Sequence, residues 1–212
     1  MERSGKSGDH VELIAVTKTV DINTINKAID EGVKSIGENR VQELKRKISD
    51  IDKEVNYHMI GHLQSNKVKD IIGEVELIHS LDRMSLAKEI NKRSKAQDLI
   101  TDVLIQVNVA EEKSKFGLKT EEVISFIESI VHMENIRIRG LMTIAPHIED
   151  KEELRAIFRE LYALKQSISD KNYSEVSMKY LSMGMTNDYE IAVEEGANMV
   201  RVGRAIFGDR NY

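Results

Sequence analysis

The chain has 212 residues, which suits one domain or a small α/β barrel, and its 41% of hydrophobic residues is enough for a sizeable core. A net charge of −5 without a long run of one sign argues against a nucleic-acid partner. The absence of cysteine excludes disulfides and thiolate metal sites and favours a reducing cytoplasm as the location. No hydrophobic run approaches the length of a membrane span, so no membrane partner is expected.

Residues 1–10 are polar and rich in glycine, serine and lysine, and they are predicted to be disordered. The rest of the chain, residues 11–212, has no low-complexity segment and no change of composition that would mark a linker. It is therefore predicted to form a single domain.

From Val11 onwards, short apolar or β-branched runs alternate with segments of helical periodicity. Eight strands are predicted, at Val11–Thr17, Lys34–Gly37, Asn56–Gly61, Val75–Ser80, Asp102–Val109, Ile136–Met142, Tyr180–Met183 and Met199–Val202. The first helix is predicted to begin at Ile22, with Asp21 as its N-cap. The later helices are predicted near Val41 and Val68 and at Met84–Ser94, Glu121–Val131, Lys151–Ile168 and Tyr189–Glu195.

The regular alternation of strands and helices determines the predicted fold class. Such units place helices on the faces of a parallel sheet. About eight units in a chain of this length predict a single closed (β/α)8 barrel, the TIM barrel. An open doubly wound sheet is the alternative, but no glycine-rich dinucleotide motif follows the first strand.

Lys18 directly follows the first predicted strand, so it lies in a strand-to-helix turn. The carboxyl ends of the strands are where α/β sheets and barrels bind ligands. A lysine against apolar walls loses hydration, and its amine becomes a nucleophile that can form a Schiff base. Taken alone, the stretch is explained more simply by a solvated lysine at the end of a strand.

The loops after the seventh and eighth strands both have features of an anion site. Ser182, Gly184 and Thr186 offer hydroxyl and backbone N–H groups, while Gly203 and Arg204 precede a possible helix start. Barrels often hold phosphate at these two loops. Two ordinary glycine turns are the simpler alternative, but their occurrence at this pair of positions favours a phosphate site.

Arg201 interrupts the otherwise apolar strand Met199–Val202. A buried charge is costly unless it is paired or faces a cavity. Inside a barrel, its guanidinium can donate to a heteroaromatic nitrogen or to an anion. Alternatively, it forms an internal salt bridge with a carboxylate such as Glu38. The residues alone leave both interpretations open.

The histidines give weaker signals. His58 lies inside a predicted strand and His62 follows it, and neither has a second ligand at a familiar metal-binding spacing. No metal site is therefore predicted, and both histidines are expected to be hydrogen-bonded locally.

A closed barrel places strand eight beside strand one, so Lys18, Arg201 and the two anion loops are expected to converge. A ligand with an aldehyde, a pyridine nitrogen and a phosphate fits these features. Pyridoxal 5′-phosphate (PLP) has all three groups and is the predicted cofactor.

Motifs along nearly the whole chain resemble those of the pyridoxal phosphate homeostasis protein family. They are Ile14–Thr19, Gly37–Glu43, Ile60–Lys67, Lys113–Gly117, Gly140–Ile144, Met183–Asp188 and Met199–Gly208. The resemblance implies a single-domain barrel like the N-terminal domain of alanine racemase, the fold type III of PLP proteins. It implies PLP held as a Schiff base on Lys18, with Arg201 at the pyridine nitrogen and Asn39 beside the ring. The implied phosphate contacts are Ser182, Thr186 and the backbone of Gly203 and Arg204.

The resemblance also implies a carrier or regulator of intracellular PLP without established catalysis, with apo PLP-dependent enzymes as candidate partners. The residues agree in part, because an arginine cannot accept the proton that a strong electron sink keeps on the ring nitrogen. No catalytic residue is therefore predicted. The alternatives are a PLP-dependent amino-acid racemase of low activity and a phosphosugar-binding barrel without PLP. A monomer is expected.

Overall fold

The computed structural model describes residues 11–208, in which eight parallel strands form a closed barrel in sequence order. The strands are β1 Glu12–Val16, β2 Ser35–Glu38, β3 Asn56–Met59, β4 Leu77–Leu81, β5 Thr101–Val107, β6 Ile136–Thr143, β7 Val176–Ser182 and β8 Met199–Val202. The predicted (β/α)8 barrel is confirmed. The disorder predicted for residues 1–10, and residues 209–212 of the predicted domain, lie outside the described residues.

Helices connect the strands. They are α1 Ile22–Asp30, α2 Val41–Asp50, α3 Met84–Ala96, α4 Val123–Ile130, α5 Lys151–Ser169, α6 Tyr189–Glu194 and α7 Arg204–Phe207, with 3-10 helices at Ser65–Asp70 and Thr120–Glu122. Asp21 caps α1 as predicted, since its carboxylate accepts a hydrogen bond from the Thr24 N–H at 3.0 Å. Within residues 11–208, no helix is long and apolar enough to cross a membrane.

Two elements differ from their predictions. The segment after β3 is a 3-10 helix, Ser65–Asp70, although Val68 is buried as its apolar pattern indicated. This helix is short because Gly73 follows closely with a φ of +83°, a conformation that ends helices. β7 begins at Val176 rather than at Tyr180, because polar residues alternate with apolar ones in its first half.

The apolar side chains lie in two layers on either side of the strands. An inner cluster fills the barrel with one residue from most of the strands or their ends: Ile14, Ile60, Leu77, Leu104, Met142 and Met199. A larger cluster lies between the strands and the helices and includes Phe158 and Leu161 of α5. The barrel is therefore a filled core on which the loops at the carboxyl ends are built.

The strand register fixes which polar side chains enter the barrel. Ile14 of β1 pairs with Ser35 of β2 on one side and with Arg201 of β8 on the other. Neighbours at one register position point to the same face, so Ser35 and Arg201 point inward together with Ile14. Glu38 is three residues beyond Ser35 and therefore points outward, towards the helices.

Candidate functional site

A cavity of about 580 Å³ opens at the carboxyl ends of the strands. It lies among the loops after β1, β6, β7 and β8. Five of the residues predicted for the site line it: Lys18, Thr186, Arg201, Gly203 and Arg204. The structure thus brings together the amine, the buried cation and the two anion loops.

The turn that carries Lys18 is held by a buried ion pair beneath it. Lys47 of α2 is fully buried and pairs with the Glu38 carboxylate at the end of β2. The Lys47 ammonium also donates to the Thr17 carbonyl at 2.5 Å, and the Thr17 hydroxyl donates to Glu38 Oε1 at 2.5 Å. These bonds tie the residue directly before Lys18 to two neighbouring elements, so the base of the lysine has little freedom.

The loop after β7 is folded onto itself and onto β8. The Met185 N–H donates to the Asp188 carboxylate, and the Tyr189 N–H donates to the Met185 carbonyl at 2.8 Å. The Arg201 N–H donates to the Gly184 carbonyl at 3.0 Å. The Arg204 guanidinium donates to Asn187 Oδ1 at 3.2 Å and so links the two predicted anion loops.

Gly184 shapes this loop rather than lining the cavity. Its φ is +94°, which residues with a side chain rarely adopt. A Cβ at this position would also lie 2.7 Å from the Ala192 Cβ and 2.9 Å from the Tyr189 Cα. Gly184 therefore determines the path of the loop, and its contribution to anion binding stays a prediction.

Arg201 is buried, and within residues 11–208 its guanidinium donates hydrogen bonds to neutral groups. It donates to Ser182 Oγ at 2.6 Å and to the Thr143 carbonyl at 2.7 Å. Burial lowers the pKa of Arg201 to about 10, an effect opposed by the Asp188 carboxylate, so the guanidinium stays protonated at neutral pH. Burial in turn raises the pKa of Asp188, against the Met185 N–H and Arg201, which lower it.

Ser182 is fully buried, and its hydroxyl contacts Arg201 and His79. It is not one of the residues that line the cavity, and its contact with a phosphate stays a prediction. β7 extends to Ser182 and directs its side chain into the barrel. The alternative partner suggested for Arg201 was Glu38, but Glu38 lies on the outer face of β2 and pairs with Lys47.

Asn39 follows β2 at the carboxyl end of the barrel, but it is not one of the residues that line the cavity. Its backbone packs tightly against Gly61, where a Cβ would lie 2.4 Å from the Asn39 carbonyl oxygen. Its place beside a bound ring stays a prediction.

The sequence reasoning missed His79 and Asp188. His79 of β4 is fully buried and lies between His58 Nδ1 and Ser182 Oγ, at 3.1 Å from each. The expected local hydrogen bond of His58 is therefore present, with His79 as its partner. The sequence signal for His79 is its position as a polar residue within the predicted strand around Leu77–Leu81. Arg201 was recognised by the same kind of signal in its own strand.

His62 lies at the carboxyl ends of the strands and stacks on Phe116, with ring centroids 3.8 Å apart. Across residues 11–208, no three His, Asp or Glu side chains are grouped so that they could hold a metal ion. The cavity is lined by three cationic side chains, Lys18, Arg201 and Arg204, and by one carboxylate, Asp188. This excess of positive charge suits an anionic organic ligand.

Comparison with known proteins identifies the class first. The family described as alanine racemase, N-terminal domain, matches residues 2–211. Alanine racemase of Clostridium difficile has the same fold, with a TM-score of 0.78 at 14% identity over 100% of this chain and 58% of that chain. The chain belongs to the alanine racemase N-terminal domain family.

Proteins with higher sequence identity to this chain indicate a particular group within the family. The pyridoxal phosphate homeostasis protein of Aquifex aeolicus is 42% identical over 212 residues, which are 100% of this chain and 92% of the relative. PipY of Synechococcus elongatus, solved with PLP bound, has a TM-score of 0.87 at 29% identity over 98% of this chain and 96% of that chain. The resemblance to pyridoxal phosphate homeostasis proteins is thereby confirmed.

Proposed function

We propose that this protein binds PLP through a Schiff base on Lys18 and acts in PLP homeostasis rather than in catalysis. The observation that carries the proposal is the convergence of Lys18 and Arg201 on one cavity from the neighbouring strands β1 and β8. The PLP-bound structure of PipY and the names of the relatives support the choice of cofactor.

The residues at the cavity fit three groups of PLP, namely its aldehyde, its ring nitrogen and its phosphate. Lys18 supplies an amine for the aldehyde, and Arg201 supplies a cationic donor for the ring nitrogen. Thr186, Gly203 and Arg204 supply hydroxyl, backbone and guanidinium donors for the phosphate. The volume of about 580 Å³ lies in the range of small-molecule sites.

The identity of the charged group at the ring favours binding over catalysis. When bound, PLP supplies an electron sink, and the sink is strongest when a carboxylate keeps its ring nitrogen protonated. Arg201 has only donors and remains charged, because its pKa of about 10 is well above neutrality. Arg201 therefore holds the ring nitrogen without a proton, which keeps the sink weak.

The proposed setting is the cytoplasm, which the cysteine-free composition supports. The proposed state is a monomer, and apo PLP-dependent enzymes are the proposed recipients of the cofactor. The partly open cavity at the carboxyl ends of the strands suits a protein that releases its ligand to another.

The test is covalent labelling of the purified protein. After addition of PLP and borohydride reduction, we expect a single pyridoxyl group on the peptide that contains Lys18, detected by mass spectrometry. Lys18→Ala should lose this label and keep its fold by circular dichroism, because Lys18 follows β1 and is not part of the core clusters.

Lys69→Ala is the matched control, because Lys69 is exposed in the 3-10 helix after β3 and should leave the labelling unchanged. Equal labelling of the Lys18→Ala variant would contradict the assignment. Loss of α-deuterium from an amino acid at a rate that depends on Lys18 would contradict the absence of catalysis and favour a racemase.

A further inference from the structure

A column of polar side chains crosses the barrel from one end to the other. At the amino-terminal end of the strands, a second cavity of about 310 Å³ is lined by Glu12 and His58, among others. At the opposite end, Arg201 lines the proposed PLP cavity. His79 and Ser182 connect these two ends through the filled apolar interior.

Contacts at hydrogen-bonding distance run from Arg201 to His58, and the Glu12 carboxylate lies just beyond that distance. The Arg201 guanidinium lies 2.6 Å from Ser182 Oγ, Ser182 Oγ lies 3.1 Å from His79 Nδ1, and His79 Nε2 lies 3.1 Å from His58 Nδ1. His58 Nε2 lies 3.6 Å from Glu12 Oε1, which also accepts a hydrogen bond from Ser35 Oγ at 3.1 Å. Thus a series of hydrogen-bonded side chains has a guanidinium at one end and a carboxylate close to the other.

The two ends determine the direction of every donor in between. A guanidinium cannot accept, so Ser182 Oγ accepts from Arg201 and has one hydrogen to donate to His79 Nδ1. His79 then carries its proton on Nε2 and donates to His58 Nδ1. His58 likewise carries its proton on Nε2, directed towards the Glu12 carboxylate.

The opposite direction is unfavourable at both ends. It would set the lone pair of His58 Nε2 against the Glu12 carboxylate. It would also leave the Ser182 hydroxyl hydrogen without an acceptor among the groups of the column. Both rings must be neutral for the favoured arrangement. Burial supports this by lowering the pKa of His58 to about 4 and that of His79 well below its ordinary value.

We propose that His79, oriented by His58, is a positioning residue that fixes the Ser182 hydroxyl as an acceptor and thereby holds the Arg201 guanidinium against the ring nitrogen of bound PLP. The inference rests on the proposed function for the identity of the ligand. The arrangement anchors a buried cation to a distant carboxylate without placing that carboxylate at the ring, where it would favour protonation of the ring nitrogen.

The first test needs no cofactor. Long-range ¹H–¹⁵N NMR spectra of the protein as purified distinguish the two neutral tautomers of each histidine. We expect both His58 and His79 to be neutral with the proton on Nε2 at neutral pH. A proton on Nδ1 of His79, or a charged His79 ring, would overturn the proposal whatever the protein binds.

The second test uses three variants. His79→Leu removes the acceptor for Ser182 and should raise the PLP dissociation constant about tenfold and shift the absorption maximum of bound PLP. His79→Asn places an amide oxygen near the position of Nδ1 and should restore most of the affinity and the spectrum. His132→Leu is the matched control, because His132 lies at the end of α4, outside the barrel interior.

The outcomes separate the two proposals. If His79→Leu does not fold, the His79→Asn variant and the tautomer measurement still decide. Unchanged affinity and spectrum in His79→Leu, with normal labelling of Lys18, would overturn the positioning role and leave the proposed function intact. Absence of labelling in the unaltered protein would overturn the proposed function, while the tautomers would still test the column.

Discussion

Two buried cations in this protein, Lys47 and Arg201, are held by different kinds of partner. Lys47 lies outside the barrel, between β2 and α2, and is paired directly with the Glu38 carboxylate. Arg201 lies inside the barrel and bonds to a hydroxyl and a carbonyl, while the charge of the Asp188 carboxylate acts on it without an ion pair within residues 11–208. A cation whose charge is matched by a carboxylate has a structural role. A cation held by neutral acceptors can still direct its charge towards a ligand.

The largest effect is expected when the matched pair is broken. Lys47→Met leaves the Glu38 carboxylate buried without its partner, and we expect the free energy of unfolding to fall by about 3 kcal/mol or more. Urea denaturation measures this change. The Glu38→Leu, Lys47→Met double variant removes both charges and should recover much of the loss. If the double variant is no more stable than the single one, the pair does not dominate stability here.

Acid should destabilise the folded protein through His58 of the polar column. Burial lowers the pKa of His58 from 6.5 to about 4, so the unfolded chain binds a proton that the folded protein excludes. Stability is therefore highest above pH 6.5 and falls as the pH decreases towards 4, by roughly 3 kcal/mol from this group. Urea denaturation at several pH values should show the decrease.

His58→Asn is the control for this decrease, because it removes the titrating ring and retains a polar side chain. Its stability should depend less on pH over the same interval. Equal slopes in the two proteins would show that the proton responsible binds elsewhere, for example on His79, whose pKa is also lowered by burial.

Removal of Arg201 should have the smallest effect on stability and a clear effect on binding. Arg201→Met leaves neutral oxygens rather than a charge without a partner, so we expect a loss of about 1–2 kcal/mol, less than for Lys47→Met. We expect PLP affinity to fall at least about tenfold, measured by absorption titration. A loss of stability equal to that of Lys47→Met, with unchanged affinity, would make Arg201 a structural cation as well.

The fold was predictable because each βα unit is visible in the local pattern of its own residues. β8 was predicted with its observed bounds, Met199–Val202, and α1 with its observed start and cap. The 3-10 helix after β3 was not, since its length depends on the chain that follows Val68 and not on the apolar spacing around it.

Of the candidate site, only the features that one residue shows in its local sequence could be predicted. Lys18 and Arg201 are charged residues at the end of an apolar strand and within one, so they could be selected from the sequence as candidates, although each also had a simpler explanation. The inward direction of Ser182 and the outward direction of Glu38 could not be predicted, because the face to which a strand residue points depends on where the strand begins and on its register with its neighbours. The contact between His58 and His79 joins two strands and has no local signature.

The cavity bridges the two strands that close the barrel, β1 and β8, which come from opposite ends of the chain. During synthesis, Lys18 is made long before Arg201, so the proposed site forms only after β8 has paired with β1. Only a barrel that has finished folding can therefore bind the ligand at this site. A ligand that bridges this seam favours the closed barrel by mass action.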